Sequence, residues 1–202
     1  MPNGTFVELP GEDHFPFAGR TDDIFGHLRT FIAGDAAPAD HTRRLATTLF
    51  TDIVGSTERS VDLGDAEWKH LLELHHGLVR SELDRAGGRE VDTAGDGFFA
   101  TFDGPAAAAS CAVAIAQAMP SIGLEIRAGV HTGEVETIDG KVGGIGVAIG
   151  ARIGSLAGPS EVVVSSTVRD LTVGSGLVFE DAGEHELKGV PDRWHLYRVV
   201  TS

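Results

Sequence analysis

Between residues 45 and 199 helical and strand-like runs alternate, yet several strands follow one another with only a turn between them. The clearest case is 89–93 and 98–102, two short runs around Gly95-Asp-Gly97, a hairpin signal. Hairpins join antiparallel neighbours, so a chain mixing them with helical crossovers cannot build a purely parallel sheet. The run 45–54 reads as a buried strand. Asp65–Ala86 reads as an amphipathic helix, with Trp68, Leu71, Leu72, Leu78, Val79 and Leu83 at helical spacing. Asp65 stands in its cap position and Gly87-Gly88 end it. Residues 105–119 form an Ala-rich helix with Pro at its first turn, and 124–131 a strand with alternating Ile126, Ala128 and Val130. Residues 143–157 form a Gly-rich helix able to pack closely against a neighbour. A strand at 161–165, a short helix Ser166–Leu171 and strands at 177–180, 183–187 and 194–199 complete the chain. This order predicts an α+β fold: a ferredoxin-like βαββαβ core with a C-terminal extension and a mixed, mostly antiparallel sheet.

Residues 1–42 differ from the rest. They are rich in phenylalanine (Phe6, Phe15, Phe17, Phe25, Phe31), with a helix predicted over 21–33 and a Pro/Ala/Asp linker over 34–40. The main domain is expected over 43–202. Net charge is 16 − 30 = −14, which disfavours nucleic-acid binding through phosphate neutralisation. The lone Cys111 excludes an internal disulfide and a cysteine zinc cage. The longest apolar run, 106–119, is shorter than the ~20 residues of a membrane span. No secretory signal is visible, so no membrane association and a cytoplasmic location are expected.

Two aspartates carry the chemistry. Asp52 lies at a strand end in Phe50-Thr-Asp-Ile-Val-Gly-Ser-Thr57, and Asp96 at the hairpin in Thr93-Ala-Gly-Asp-Gly97. Carboxylates converging from neighbouring strands are what a two-magnesium phosphoryl-transfer site requires. The Ile53 carbonyl can add a metal ligand. Gly55, Ser56 and Thr57 open a helix whose amides can hold phosphate. The plainer readings are a strand-to-helix turn capped by Ser56 and an ordinary Asp-Gly hairpin. Arg152 interrupts an otherwise apolar Gly/Ala-rich helix and has room to reach a phosphate; a solvated arginine is the alternative. Lys188, in Glu186-Leu-Lys-Gly189, reads by itself as part of a solvated turn. His75-His76 on the long helix make no metal face, because adjacent helical residues point apart. His131 reads as a satisfied polar group at a strand end.

In their order, these motifs together with Arg127-Ala-Gly-Val-His-Thr-Gly133 and Gly150-Ala-Arg-Ile153 resemble the class III nucleotidyl cyclase catalytic domain, the adenylyl and guanylyl cyclases. The resemblance covers about four-fifths of the chain and is nearest to actinobacterial cyclases, some fused to an α/β-hydrolase. It implies conversion of ATP or GTP to a cyclic 3′,5′-nucleotide and pyrophosphate in a head-to-tail homodimer. It implies two Mg²⁺ or Mn²⁺ ions per site, held by Asp52, Asp96 and the Ile53 carbonyl. It implies Arg152 from the partner at the α-phosphate and Lys188 at the terminal phosphates. The segment 9–17, with His14, resembles the tail of an α/β-hydrolase, an attached or lost domain. No G-x-S-x-G elbow is present, so hydrolase activity is not expected.

Three positions depart from the family. Ala148 stands where the transition-state asparagine belongs, and losing one such donor costs ~10²–10³ in rate. Low activity is therefore expected. The adenine-recognising lysine and aspartate places hold Asp92 and Lys141, charges exchanged. An acceptor at 92 and a donor at 141 complement guanine. Alternatively, the two side chains pair with each other and fill the base pocket. A further alternative is a degenerate cyclase-homology domain that binds nucleotide or a partner and regulates.

Overall fold

The computed structural model describes residues 42–138 and 141–200. The sequence expectations for residues 1–41, including the helix over 21–33, the linker and His14, lie outside the described residues. Eight strands form one sheet in the order β2-β3-β1-β4-β6-β8-β7, with β5 paired to β4. They are β1 (Thr42–Ile53), β2 (Arg89–Ala94), β3 (Gly97–Phe102), β4 (Ile126–Ile138), β5 (Lys141–Gly143), β6 (Val162–Ser165), β7 (Phe179–Glu186) and β8 (Arg193–Val199). The helices are α1 (Ser56–Leu63), α2 (Asp65–Ala86), α3 (Pro105–Ala118), α4 (Ile145–Leu156) and α5 (Ser166–Leu171), and a 3₁₀ turn (Met119–Ile122) follows α3. The run β2-β3-β1-β4 is antiparallel throughout and forms the expected βαββαβ core. Among the described residues only β4 and β6 pair in parallel.

Two cores sandwich the sheet. One face of β1, β3, β4 and β6 (Leu49, Phe98, Ile126, Val130, Val164) packs on α2 and α3 through Val79, Leu83 and Ile115. The other face receives α4, where Ile149 and Ile153 meet Val163 and Leu196. β6 is buried on both faces and therefore reads as a continuous Val-Val-Val run. Helix α4 comes unusually close to the sheet. A Cβ added at Gly150 would stand 2.4 Å from Thr48 Oγ1, and one at Gly146 2.6 Å from the Glu134 carbonyl oxygen. The small residues of 143–157 thus do pack closely, against β1 and β4. The stretch Pro105–Ile122 is long and apolar enough to cross a membrane by length and composition. In the fold it is a core helix, with Ala108, Cys111, Ala112, Ile115 and Met119 buried.

Several boundaries differ from expectation. Strand β4 does not stop at His131 but continues to Ile138, because 133–137 pair with the outlying part of β1 and 136–138 with β5. His131 is consequently mid-strand and buried, with Nδ1 2.9 Å from Ser165 Oγ. The two strands expected at 177–180 and 183–187 are one strand, β7, with an irregularity between Asp181 and Gly183. Gly64, not Asp65, holds the N-cap position of α2, and Gly55 that of α1, with no side-chain cap bond at either. The plainer expectation of Ser56 as a cap is thereby corrected: Ser56 is the first residue of α1.

Candidate active site

The aspartates are brought together by sheet register. Asp52 is the penultimate residue of β1. In β3, Phe98 pairs with Thr51, which sets the β2–β3 turn beside the end of β1. That turn is Gly95-Asp96, between the paired Ala94 and Gly97. Gly95 has φ 64°, a left-handed conformation that glycine accepts without strain. Asp96 Oδ2 accepts the Ile53 amide hydrogen at 3.3 Å. One carboxylate is therefore anchored to the residue that follows the other.

Asp52 has a partner that sequence reasoning missed. Its register partner in β4 is Arg127, whose Nε donates to Asp52 Oδ2 at 3.0 Å and whose Nη2 donates to the same oxygen. The two side chains are about two-fifths exposed, at 39% and 37%. Such an exposed pair contributes little to stability, roughly 0–1 kcal/mol. Its importance is positional: it occupies one oxygen of Asp52. Asp52 Oδ1 and Asp96 Oδ1 have no hydrogen-bond partner among the described residues. Two carboxylates, each with one oxygen held and one open, form a hard-oxygen donor set that suits Mg²⁺ or Mn²⁺. Among the described residues no group of three or more His, Cys, Asp or Glu side chains could hold a metal. A cation bound here would take further oxygens from its phosphate ligand or from water, as Mg²⁺ commonly does. A pocket of about 190 Å³ adjoins the site, with Asp52 and Arg127 on one wall and Ala151, Gly154 and Ser155 of α4 on the other.

The remaining expected residues are held by other elements. Helix α1 begins directly after the Asp52 turn. Its first intrahelical bond runs from the Arg59 amide to the Gly55 carbonyl at 3.0 Å. The amides of Ser56, Thr57 and Glu58 precede that bond and have no acceptor within the helix. Arg152 lies on the exposed side of α4 and makes no side-chain hydrogen bond or ion pair among the described residues. Ala148, one turn earlier, is exposed on the same helix and presents only a methyl group. Lys188 is exposed in the turn between β7 and β8, beside an open depression of about 580 Å³ that also carries Glu186, Asp192 and Arg193. Asp92 and Lys141 are both exposed and form no ion pair with each other; Asp92 Oδ1 instead accepts the Thr93 amide hydrogen at 2.9 Å. The expectation of a self-paired, filled base pocket is therefore not met within the protomer. The reason is placement: Asp92 stands on the outermost strand β2, whereas Lys141 opens β5 beyond the far end of β4.

The titrating groups around the site have clear causes. His75, fully buried under the hairpin, is pushed down to about 4, by burial first and by the neighbouring His76 second. Glu90 is lowered to about 2 by the Arg80 fork and the Thr93 hydroxyl. Neither Arg127 nor His76 was assigned a role from the sequence. Their partners are set by strand register and helix docking, and no local pattern encodes those.

Residues 40–201 match the family model described as the adenylate and guanylate cyclase catalytic domain. A putative adenylate cyclase 3 of Rhizobium meliloti is 32% identical over 171 residues, which cover 77% of this chain and 28% of that protein. The chain thus spans less than a third of that curated relative. The adenylyl cyclase CyaB of P. aeruginosa superposes with a TM-score of 0.76 at 24% identity, covering 81% of this chain and 97% of the other. An adenylate/guanylate cyclase/hydrolase of Silicibacter pomeroyi superposes with a TM-score of 0.73 at 27% identity, covering 81% and 100%. With four-fifths of its length matched by one family model and the same fold in the solved structures, the chain belongs to the adenylate and guanylate cyclase catalytic domain family.

Proposed function

We propose that residues 43–202 form a nucleotidyl cyclase that converts ATP or GTP to a cyclic 3′,5′-nucleotide and pyrophosphate at the interface of a head-to-tail homodimer. The observation that carries this reading is the convergence of two carboxylates, with Asp96 bonded to the amide of the residue after Asp52. Divalent cations, two per site, would supply positive charge at the ribose 3′-hydroxyl and the triphosphate when bound. Asp52, Asp96 and the Ile53 carbonyl would hold them. The amides at Gly55, Ser56 and Thr57 receive phosphate oxygens. Arg152 of the second copy stabilises charge at the α-phosphate, and Lys188 binds the terminal phosphates. Arg152 is exposed and unpaired among the described residues, as a group offered to a partner must be.

Base choice follows from two exposed side chains. Asp92 presents an acceptor and Lys141 a donor, the complement of guanine, and they do not neutralise each other within one protomer. This supports a shift toward GTP relative to ordinary adenylyl cyclases. Residues 1–42 we assign to an α/β-hydrolase-like tail, the remnant of an attached or lost domain; the Silicibacter protein's name likewise joins cyclase and hydrolase.

Turnover of radiolabelled ATP and GTP with Mn²⁺, with Asp52→Ala as control, tests the reading. Activity in the wild type that the control lacks supports it, and a clear ATP preference removes the guanine assignment. A second reading is a regulatory domain without turnover, favoured by the methyl group of Ala148 where a hydrogen-bond donor is needed. Equal background in both proteins selects it.

A further inference from the structure

Helix α2 touches the β2–β3 hairpin at two points one helical turn apart. Arg80 forks onto Glu90 through Nε at 2.8 Å and Nη2 at 2.9 Å, and Glu90 Oε1 accepts from Thr93 Oγ1 at 2.6 Å. His76, four residues earlier and so on the same helix face, reaches the turn: its Nε2 lies 2.9 Å from the Gly95 carbonyl oxygen. A carbonyl only accepts, so Nε2 carries the proton. Phe98 lies between the two points, with the His76 ring edge-on at 5.2 Å and the Arg80 guanidinium 5.5 Å over its face. Apolar burial of Val79 and Leu83 already docks α2 on the sheet. The polar contacts are additional, and they gather on the hairpin that bears Asp96. Gly95 is the residue before Asp96 and has no side chain to restrain it, so a bond to its carbonyl orients the peptide that leads into Asp96.

We propose that His76 is a positioning residue for cation binding: its N–H holds the Gly95 carbonyl and so aims the Asp96 carboxylate at the space it shares with Asp52. This rests on the reading of Asp52 and Asp96 as cation ligands, and the test separates the two. Mn²⁺ binding to the full chain is measured from the electron paramagnetic resonance of free Mn²⁺. No nucleotide is added, because a free triphosphate would itself take up Mn²⁺. His76→Phe keeps a ring, His76→Met keeps helix propensity, and both lose the donor. His76→Gln keeps an N–H able to reach a carbonyl. The Phe and Met variants are expected to raise the Mn²⁺ Kd roughly three- to tenfold, as loss of one hydrogen bond does. The Gln variant is expected to stay within about twofold of wild type. Asp96→Asn is expected to remove most binding. Wild-type affinity in both Phe and Met variants, or weakening by Gln equal to theirs, overturns the role of His76. Wild-type affinity in Asp96→Asn overturns the cation site itself.

Discussion

At the residue scale, two kinds of position make the sharpest predictions, a missing donor and a pair of buried histidines. Ala148 is exposed one turn before Arg152 and supplies no hydrogen-bond donor. On the proposed reading, Ala148→Asn is expected to raise kcat by ~10–10³, with little change in KM, because the added bond would act in the transition state. Steady-state kinetics of both proteins check this. His75 and His131 are buried, and burial holds each at about 4. In the unfolded chain they return to ordinary values near 6.5. Between pH 6.5 and 4 the unfolded state binds more protons, so stability is full above this window and falls as pH drops through it. Each histidine is expected to cost ~2 kcal/mol on going from pH 7 to pH 5. Thermal unfolding at the two pH values measures the sum. Among the described residues both ring nitrogens of His75 lack partners, so His75→Phe should flatten that slope.

At the scale of elements, the seam between α4 and the sheet determines where Arg152 is displayed. A Cβ at Gly129 of β4 would stand 2.1 Å from the Gly154 amide nitrogen and 2.9 Å from the Gly150 carbonyl oxygen. These are backbone atoms and no rotamer change relieves them. Gly129→Ala is expected to lift α4 and destabilise the fold by about 1–3 kcal/mol or more. The matching fall in melting temperature is roughly 2–4 °C per kcal/mol for a domain of this size. Calorimetry checks this, and the displaced helix should lower turnover as well. The helix itself was legible from its glycines, but the partner strands were not. The same holds for β7, where an irregularity at Asp181–Gly183 joins what periodicity divides into two strands.

At the scale of the whole molecule, the proposed site needs two copies of the chain. Asp52→Ala and Arg152→Ala are each expected to abolish turnover. Mixed in equal amounts and allowed to exchange, they should recover about a quarter of wild-type activity, since half the dimers are mixed and each mixed dimer has one intact site. No recovery despite demonstrated exchange would place both residues in one protomer's site.

The amino-acid sequence alone determined the α+β class and most helices and strands, and singled out Asp52 and Asp96 as candidates, because periodicity, glycine turns and short motifs are local signals. Tertiary structure alone decided that Arg127 lies on Asp52, that His76 holds Gly95, and that Asp92 and Lys141 stand apart. Those contacts join residues 19 to 75 positions apart in sequence or depend on which strands neighbour one another. Register and helix docking arise from packing the whole core, and no short stretch of chain encodes them.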